Sequence, residues 1–133
     1  MSGTHRAIVG ALILLGILAA LLLVAFAAIT CPVETDAQQC PGAARNLVLG
    51  VGLASTAVGL LVAPFAFLGE VMTRRRIVYR GAWGRAGRRG ALAGLMAAAL
   101  AGLRLGGALS VPIALFVLIL AGVVEWFFAR NDR

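Results

Sequence analysis

Polar residues cut this chain into long apolar runs. The first run covers residues 7–29 without a charged side chain, the second covers residues 46–72 with Glu70 near its far end, and the third covers residues 91–129. At 1.5 Å per residue the first run reaches about 34 Å, enough for a bilayer core of about 30 Å. A secretory signal peptide is the competing reading, with Thr4, His5 and Arg6 as its basic start and Ala25, Phe26 and Ala27 as a small-residue cleavage site. The apolar core of such a peptide is ordinarily about 7–15 residues, shorter than this run. Thr30 before Cys31 also makes a poor lipoprotein site. A retained membrane helix over residues 7–30 is therefore expected.

The second run predicts a helix over residues 46–72, long enough to span with tilt. Pro64 lies inside it, where the missing N–H and the crowded carbonyl of Leu60 predict a kink, or a helix that ends and restarts. The third run is too long for one crossing. Gly106, Gly107, Ser110 and Pro112 mark its natural break, because serine ahead of proline resembles a helix start. Two helices are expected, over residues 90–106 and 109–129; the alternative is one spanning helix plus an interfacial or re-entrant piece. The fold class is thus all-α: an integral membrane protein with four transmembrane helices arranged as two hairpins. It forms a single membrane domain, with an outer loop at 31–45, a basic loop at 73–89 and both termini on one side.

Composition strengthens the membrane reading. Hydrophobic residues make up 62% of the chain and charged residues 13%, against about 45–50% and about 25% in soluble domains. A domain this small buries too little of its surface to hide the surplus, so the surplus faces lipid.

Charge then fixes an expected orientation. The formal net charge is +7 and all twelve basic residues are arginine, a usage that suggests a GC-rich bacterial genome. Arg6, Arg74, Arg75, Arg76, Arg80, Arg85, Arg88, Arg89, Arg130 and Arg133 fall on one side of the four-helix scheme, and Arg45 and Arg104 on or near the other. The positive-inside rule makes the first side cytoplasmic, in a multi-pass protein of the bacterial inner membrane. Within the basic loop, Arg74, Arg75, Arg76, Tyr79, Arg80, Trp83, Arg85, Arg88 and Arg89 are the candidate contacts for anionic phospholipids or for partner subunits. Tyr79 and Trp83 would share one face at headgroup level if the segment is helical. No nucleic-acid motif accompanies the charge, so nucleic acid is not an expected partner.

Cys31 and Cys40 fall in the outer loop, each followed by proline. An oxidising compartment favours a structural disulfide, contributing about 2–3 kcal/mol. A redox-active pair is disfavoured because the close Cys-x-x-Cys spacing is missing. Metal binding is weaker still, since Glu34 and Asp36 are near but the sole histidine, His5, lies across the membrane.

Gly90, Gly94, Ala98, Gly102 and Gly106 recur every four residues. Such a small-residue stripe lets helix backbones approach closely in lipid. Shorter echoes occur at Gly16 and Ala20, Gly52 and Thr56, and Ser55 and Gly59. Three ionisable residues, Glu70, Arg104 and Glu125, lie near helix ends: Glu70 can pair with Arg74 one turn on, Arg104 can snorkel, and Glu125 sits in an aromatic belt with Trp126, Phe127 and Phe128. No nucleophile–base pair, phosphate loop, metal motif or cofactor ligand set is present in the sequence. An enzyme is not expected, and no cofactor is implied. The expected function is that of a small accessory or structural subunit of a larger membrane complex. The alternative is a homo-oligomeric channel or transporter using Glu70 and Glu125.

Overall fold

The computed structural model describes residues 3–30, 42–73 and 81–131. Among these residues every regular element is helical: α1 (Gly3–Ile29), α2 (Ala43–Thr73), α3 (Ala82–Leu105) and α4 (Val111–Asn131). At 1.5 Å per residue their 27, 31, 24 and 21 residues correspond to about 40, 46, 36 and 31 Å. Three of them, α1, α2 and α4, are long and apolar enough to cross a membrane. Helix α3 falls short of that standard because Arg85, Arg88, Arg89 and Arg104 lie within it.

One sequence expectation is corrected, and another loses one of its two alternatives. The segment 73–89, expected as a loop, is helical from Ala82 onward. Gly81 adopts a left-handed backbone (φ 80°) immediately before the helix, and the Arg85 N–H donates to its carbonyl at 3.0 Å. Alanine and arginine are good helix formers, so the helix does not stop where the apolar run stops. Helix α2 also does not end and restart at Pro64. It runs through that residue as one helix, with the proline ring fully buried.

The expected break between α3 and α4 narrows to residues 106–110. The N–H of Ala108 donates to the Leu103 carbonyl at 2.9 Å and that of Gly107 to Arg104 at 3.1 Å. With Gly107 at φ 73°, this is the paired bonding of a Schellman termination, which needs a residue tolerant of the left-handed region. Ser110 then precedes α4, its carbonyl accepting from the Ala114 N–H at 2.9 Å.

The helices pack in chain order. Helix α2 lies against α1 on one flank and α3 on the other, and α4 touches only α3 along a short seam. The α2–α3 seam is the closest. A Cβ added at Gly90 would stand 2.8 Å from both the Gly59 carbonyl oxygen and Ala63 Cβ, and one at Gly94 would stand 2.9 Å from the Ser55 carbonyl oxygen. Ser55 Oγ donates to the Gly94 carbonyl across the seam at 2.8 Å, so a polar group at bilayer depth has a partner. Gly16 of α1 meets Leu61 of α2 at a similar separation. Buried apolar side chains gather at one end, where Val9, Phe67, Ala82 and Ala86 form the core. Helix α4 has no buried residue, and its Phe116 is 65% exposed.

Candidate functional site at the arginine-rich end

The start of α1, the end of α2, the start of α3 and the end of α4 are tied together by polar and aromatic contacts. Phe67 of α2 is fully buried and stacks on Trp83 of α3, with ring centroids 4.1 Å apart and planes 11° from parallel. His5 of α1 stacks on Phe67 at 5.7 Å and on Trp83 at 6.3 Å. Trp83 Nε1–H donates to His5 Nδ1 at 3.0 Å, which requires that nitrogen to carry a lone pair and not a proton.

One turn beyond Phe67, Glu70 Oε1 accepts from Arg85 Nε at 2.6 Å and lies at the same distance from Nη2. The Glu70 side chain is 9% exposed. On the next turn of α3, Arg89 Nε donates to Glu125 Oε1 of α4 at 2.7 Å. Arginines four residues apart on α3 thus reach carboxylates on both neighbouring helices. Glu70 is nearly removed from water and the other three charges only in part, and each faces an opposite charge, which is the condition under which such groups are tolerated near the apolar zone. The second oxygens of both carboxylates, Glu70 Oε2 and Glu125 Oε2, are shut off from solvent without a hydrogen-bond partner. Two further arginines sit over aromatic rings of α4, Arg88 over Phe128 at 5.0 Å and Arg130 over Trp126 at 5.7 Å.

Two hollows flank Arg89. One, between α2 and α3, is lined by Ala66, Gly69, Glu70, Thr73 and Arg89. The other is an open-sided groove of about 360 Å³ between α3 and α4, apolar below Arg89 and Glu125. At the far end of the bundle a third hollow is walled by Leu23, Phe26, Val51 and Ala101, with Arg104 and Asn46 at its rim.

No family model, curated protein or solved structure matches the chain. What the site can do therefore follows from its own geometry.

Of the residues singled out in the sequence, Arg74, Arg75, Arg76, Tyr79 and Arg80 lie outside the described residues, as do Cys31 and Cys40. Trp83 and Arg85 are half-buried between helices, with Trp83 turned toward Phe67 and His5. Arg88 and Arg89 reach toward α4. Glu70, expected to pair with Arg74 along α2, is bonded to Arg85 of the next helix. Glu125, expected in an aromatic belt and, in the channel alternative, as an ion-carrying group, is bonded to Arg89. Along the stripe, Gly90 and Gly94 are buried against α2, Ala98 is half-buried, Gly102 has open space beside it and Gly106 caps the helix. Sequence reasoning missed the roles of His5 and Phe67. It also missed Ala82 and Ala86, which continue the four-residue spacing backward from Gly90 and are buried at 3% and 0%. That backward continuation was the one signal in the sequence that α3 begins early.

Proposed function

We propose that the protein is a non-catalytic accessory subunit of a larger assembly in a bacterial cytoplasmic membrane. In this reading four helices cross the bilayer as two hairpins, and both termini and the arginine-rich end face the cytoplasm. Cys31 and Cys40 form a disulfide on the outer side. The observation that carries the reading is helix α4. It is apolar enough to span, buries no residue and packs against α3 alone, so most of its surface is left for something outside this chain. The polar side chains at the arginine-rich end support it too, since they join one helix to the next. For α3 to cross, its apolar part at residues 90–103 supplies about 21 Å. Arg89 and Arg104 at its ends can snorkel to make up the difference.

Native mass spectrometry of the protein released in mild detergent tests this reading. The expected result is co-purification with other membrane subunits at fixed stoichiometry, and a monomer free of protein partners overturns it.

The unpartnered oxygens of Glu70 and Glu125 favour one second reading, a homo-oligomeric channel or transporter. There, Glu70→Gln and Glu125→Gln would abolish ion flux in reconstituted vesicles, and vesicles of the native protein without flux exclude it.

A further inference from the structure

The hollow at the end of the bundle opposite the arginine cluster is built like a site for one amphiphilic chain. It lies where α1 ends, α2 begins and α3 ends, and its volume is about 330 Å³. Its lining runs from Thr30 back to Leu23 and from Asn46 on to Ala54, a depth of about 10–12 Å at 1.5 Å per residue. Thr30, Asn46 and Arg104 stand at the mouth, and Leu23, Val51 and Ala54 make the deeper walls. An occupant that follows this gradient is polar at one end and hydrocarbon below. The volume corresponds to about eleven groups of water size at about 30 Å³ each, enough for part of one hydrocarbon chain and not for two.

Charge selects the polar end. Arg104 lies in the last turn of α3 and is exposed. Among the described residues no carboxylate pairs with it, because Glu70 and Glu125 are held by Arg85 and Arg89 at the opposite end. Thr30 Oγ1 donates to the Phe26 carbonyl, which leaves the guanidinium as the charged donor at the mouth. Its planar fork matches a carboxylate, which accepts two parallel N–H bonds.

We infer that this hollow binds a fatty acid, a single hydrocarbon chain ending in a carboxylate. The carboxylate meets Arg104, the first part of the chain lies between Phe26, Val51 and Ala101, and the remainder follows the helices into the bilayer. A lipid tail alone would fill the walls but leave Arg104 uncompensated, and a phospholipid brings a second chain for which the hollow has no room. The inference goes beyond the membrane-subunit reading and shares with it only the requirement that the protein sit in lipid.

The test is native mass spectrometry of the purified full chain titrated with palmitate, with its methyl ester as the uncharged analogue and palmitoyl lysophosphatidylglycerol as the phosphate-headed one. Palmitate is expected to bind one to one and tightest of the three. Arg104→Gln should weaken it about tenfold, the effect of losing one hydrogen bond between charged groups. Arg45→Gln removes a charge at the same end that does not line the hollow, and should leave binding unchanged. Gly50→Leu fills the hollow. Within 4 Å a Cβ at Gly50 meets Phe26 Cε1 alone, at an ordinary 3.8 Å, so helical circular dichroism should stay intact while palmitate binding is lost. If Gly50→Leu loses helicity, Ala101→Leu serves the same purpose. Equal binding of the methyl ester would show that Arg104 selects no charge, and overturns the assignment. So do tighter binding of the lysophospholipid, equal weakening by Arg45→Gln, and undiminished binding in a folded, filled variant. Selective palmitate adducts on a partnerless monomer would sink the subunit reading and leave this one standing; co-purifying subunits without such adducts would do the reverse.

Discussion

A methyl group at Gly90 would meet Ala63 Cβ and the Gly59 carbonyl oxygen at 2.8 Å, whereas one at Gly102 would meet nothing within 4 Å. These glycines therefore differ in consequence although they share a stripe. Gly90→Ala and Gly94→Ala must push α2 and α3 apart, since the obstructing atoms include backbone, and should destabilise by about 1–3 kcal/mol, the usual effect of overpacking. Gly102→Ala should be neutral or stabilise by up to about 1 kcal/mol through helix propensity. Thermal unfolding of the three variants in one detergent checks the contrast. The Glu70–Arg85 contact makes a second prediction at this scale. Removing Glu70 alone strands a guanidinium that is only partly exposed, and removing Arg85 alone strands a carboxylate that is 9% exposed. The double variant should therefore cost less than the sum of Glu70→Ala and Arg85→Ala measured singly. The coupling should fall within about 0.5–3 kcal/mol in a double-mutant cycle; a value indistinguishable from zero would make the pair incidental.

Between elements, the joint that matters most is where α1 meets α3, because their backbones do not pack together and side chains alone connect them. Their contact is the stack of His5, Phe67 and Trp83, and Val9, Ala82 and Ala86 share the buried cluster around Phe67. Trp83→Leu loses the 4.1 Å stack on Phe67 and the bond to His5. It should cost about 1–3 kcal/mol, whereas Trp126→Leu, at a residue 62% exposed, should stay within about 0.5 kcal/mol. Unfolding midpoints of the two variants, with the surviving tryptophan as the fluorescent probe, separate these outcomes. The same elements show what a sequence can and cannot carry. Helices α1, α2 and α4 were legible because unbroken apolarity of membrane length is hard to shelter from water anywhere but in lipid. The turn at 106–110 was legible from its glycines, serine and proline. The start of α3 was not, because hydropathy reports contact with lipid and not hydrogen bonding, and arginines facing carboxylates on other helices read as loop charge. The partners of Glu70 and Glu125 were hidden for a related reason. Spacing along one helix identifies neighbours on that helix, while Arg85 and Arg89 come from an element whose position depends on packing at Gly59, Gly90 and Gly94.

For the whole molecule, the open matter is whether α3, with its four arginines, crosses the bilayer alongside its three more apolar companions. The ties between α3 and α4 bear on this directly. Arg89 holds Glu125 at one end of the pair, and residues 106–110 join the two helices at the other. The two helices touch along a short seam only, but the turn and the Arg89–Glu125 pair join segments of about 24 and 21 Å, so if α4 spans the bilayer then α3 is expected to accompany it over most of the crossing. The arginines accord with this, since Arg85, Arg88 and Arg89 lie at one end of α3 and Arg104 at the other, each within snorkelling reach of an interface. With four crossings and a cytoplasmic arginine-rich end, Ser110→Cys in the α3–α4 turn reacts with a membrane-impermeant maleimide in intact cells, in a chain whose native Cys31 and Cys40 have been replaced by serine. Asn131→Cys at the end of α4 reacts only after the cells are opened. Three crossings reverse both results, because Ser110 would then share the cytoplasmic side with residues 73–81 and Asn131 would face outward. An inverted four-crossing protein protects Ser110→Cys and exposes Asn131→Cys as well. It is told apart by the native cysteines, which in the unsubstituted chain, after impermeant reduction, label from outside with three crossings and stay protected if the orientation is inverted.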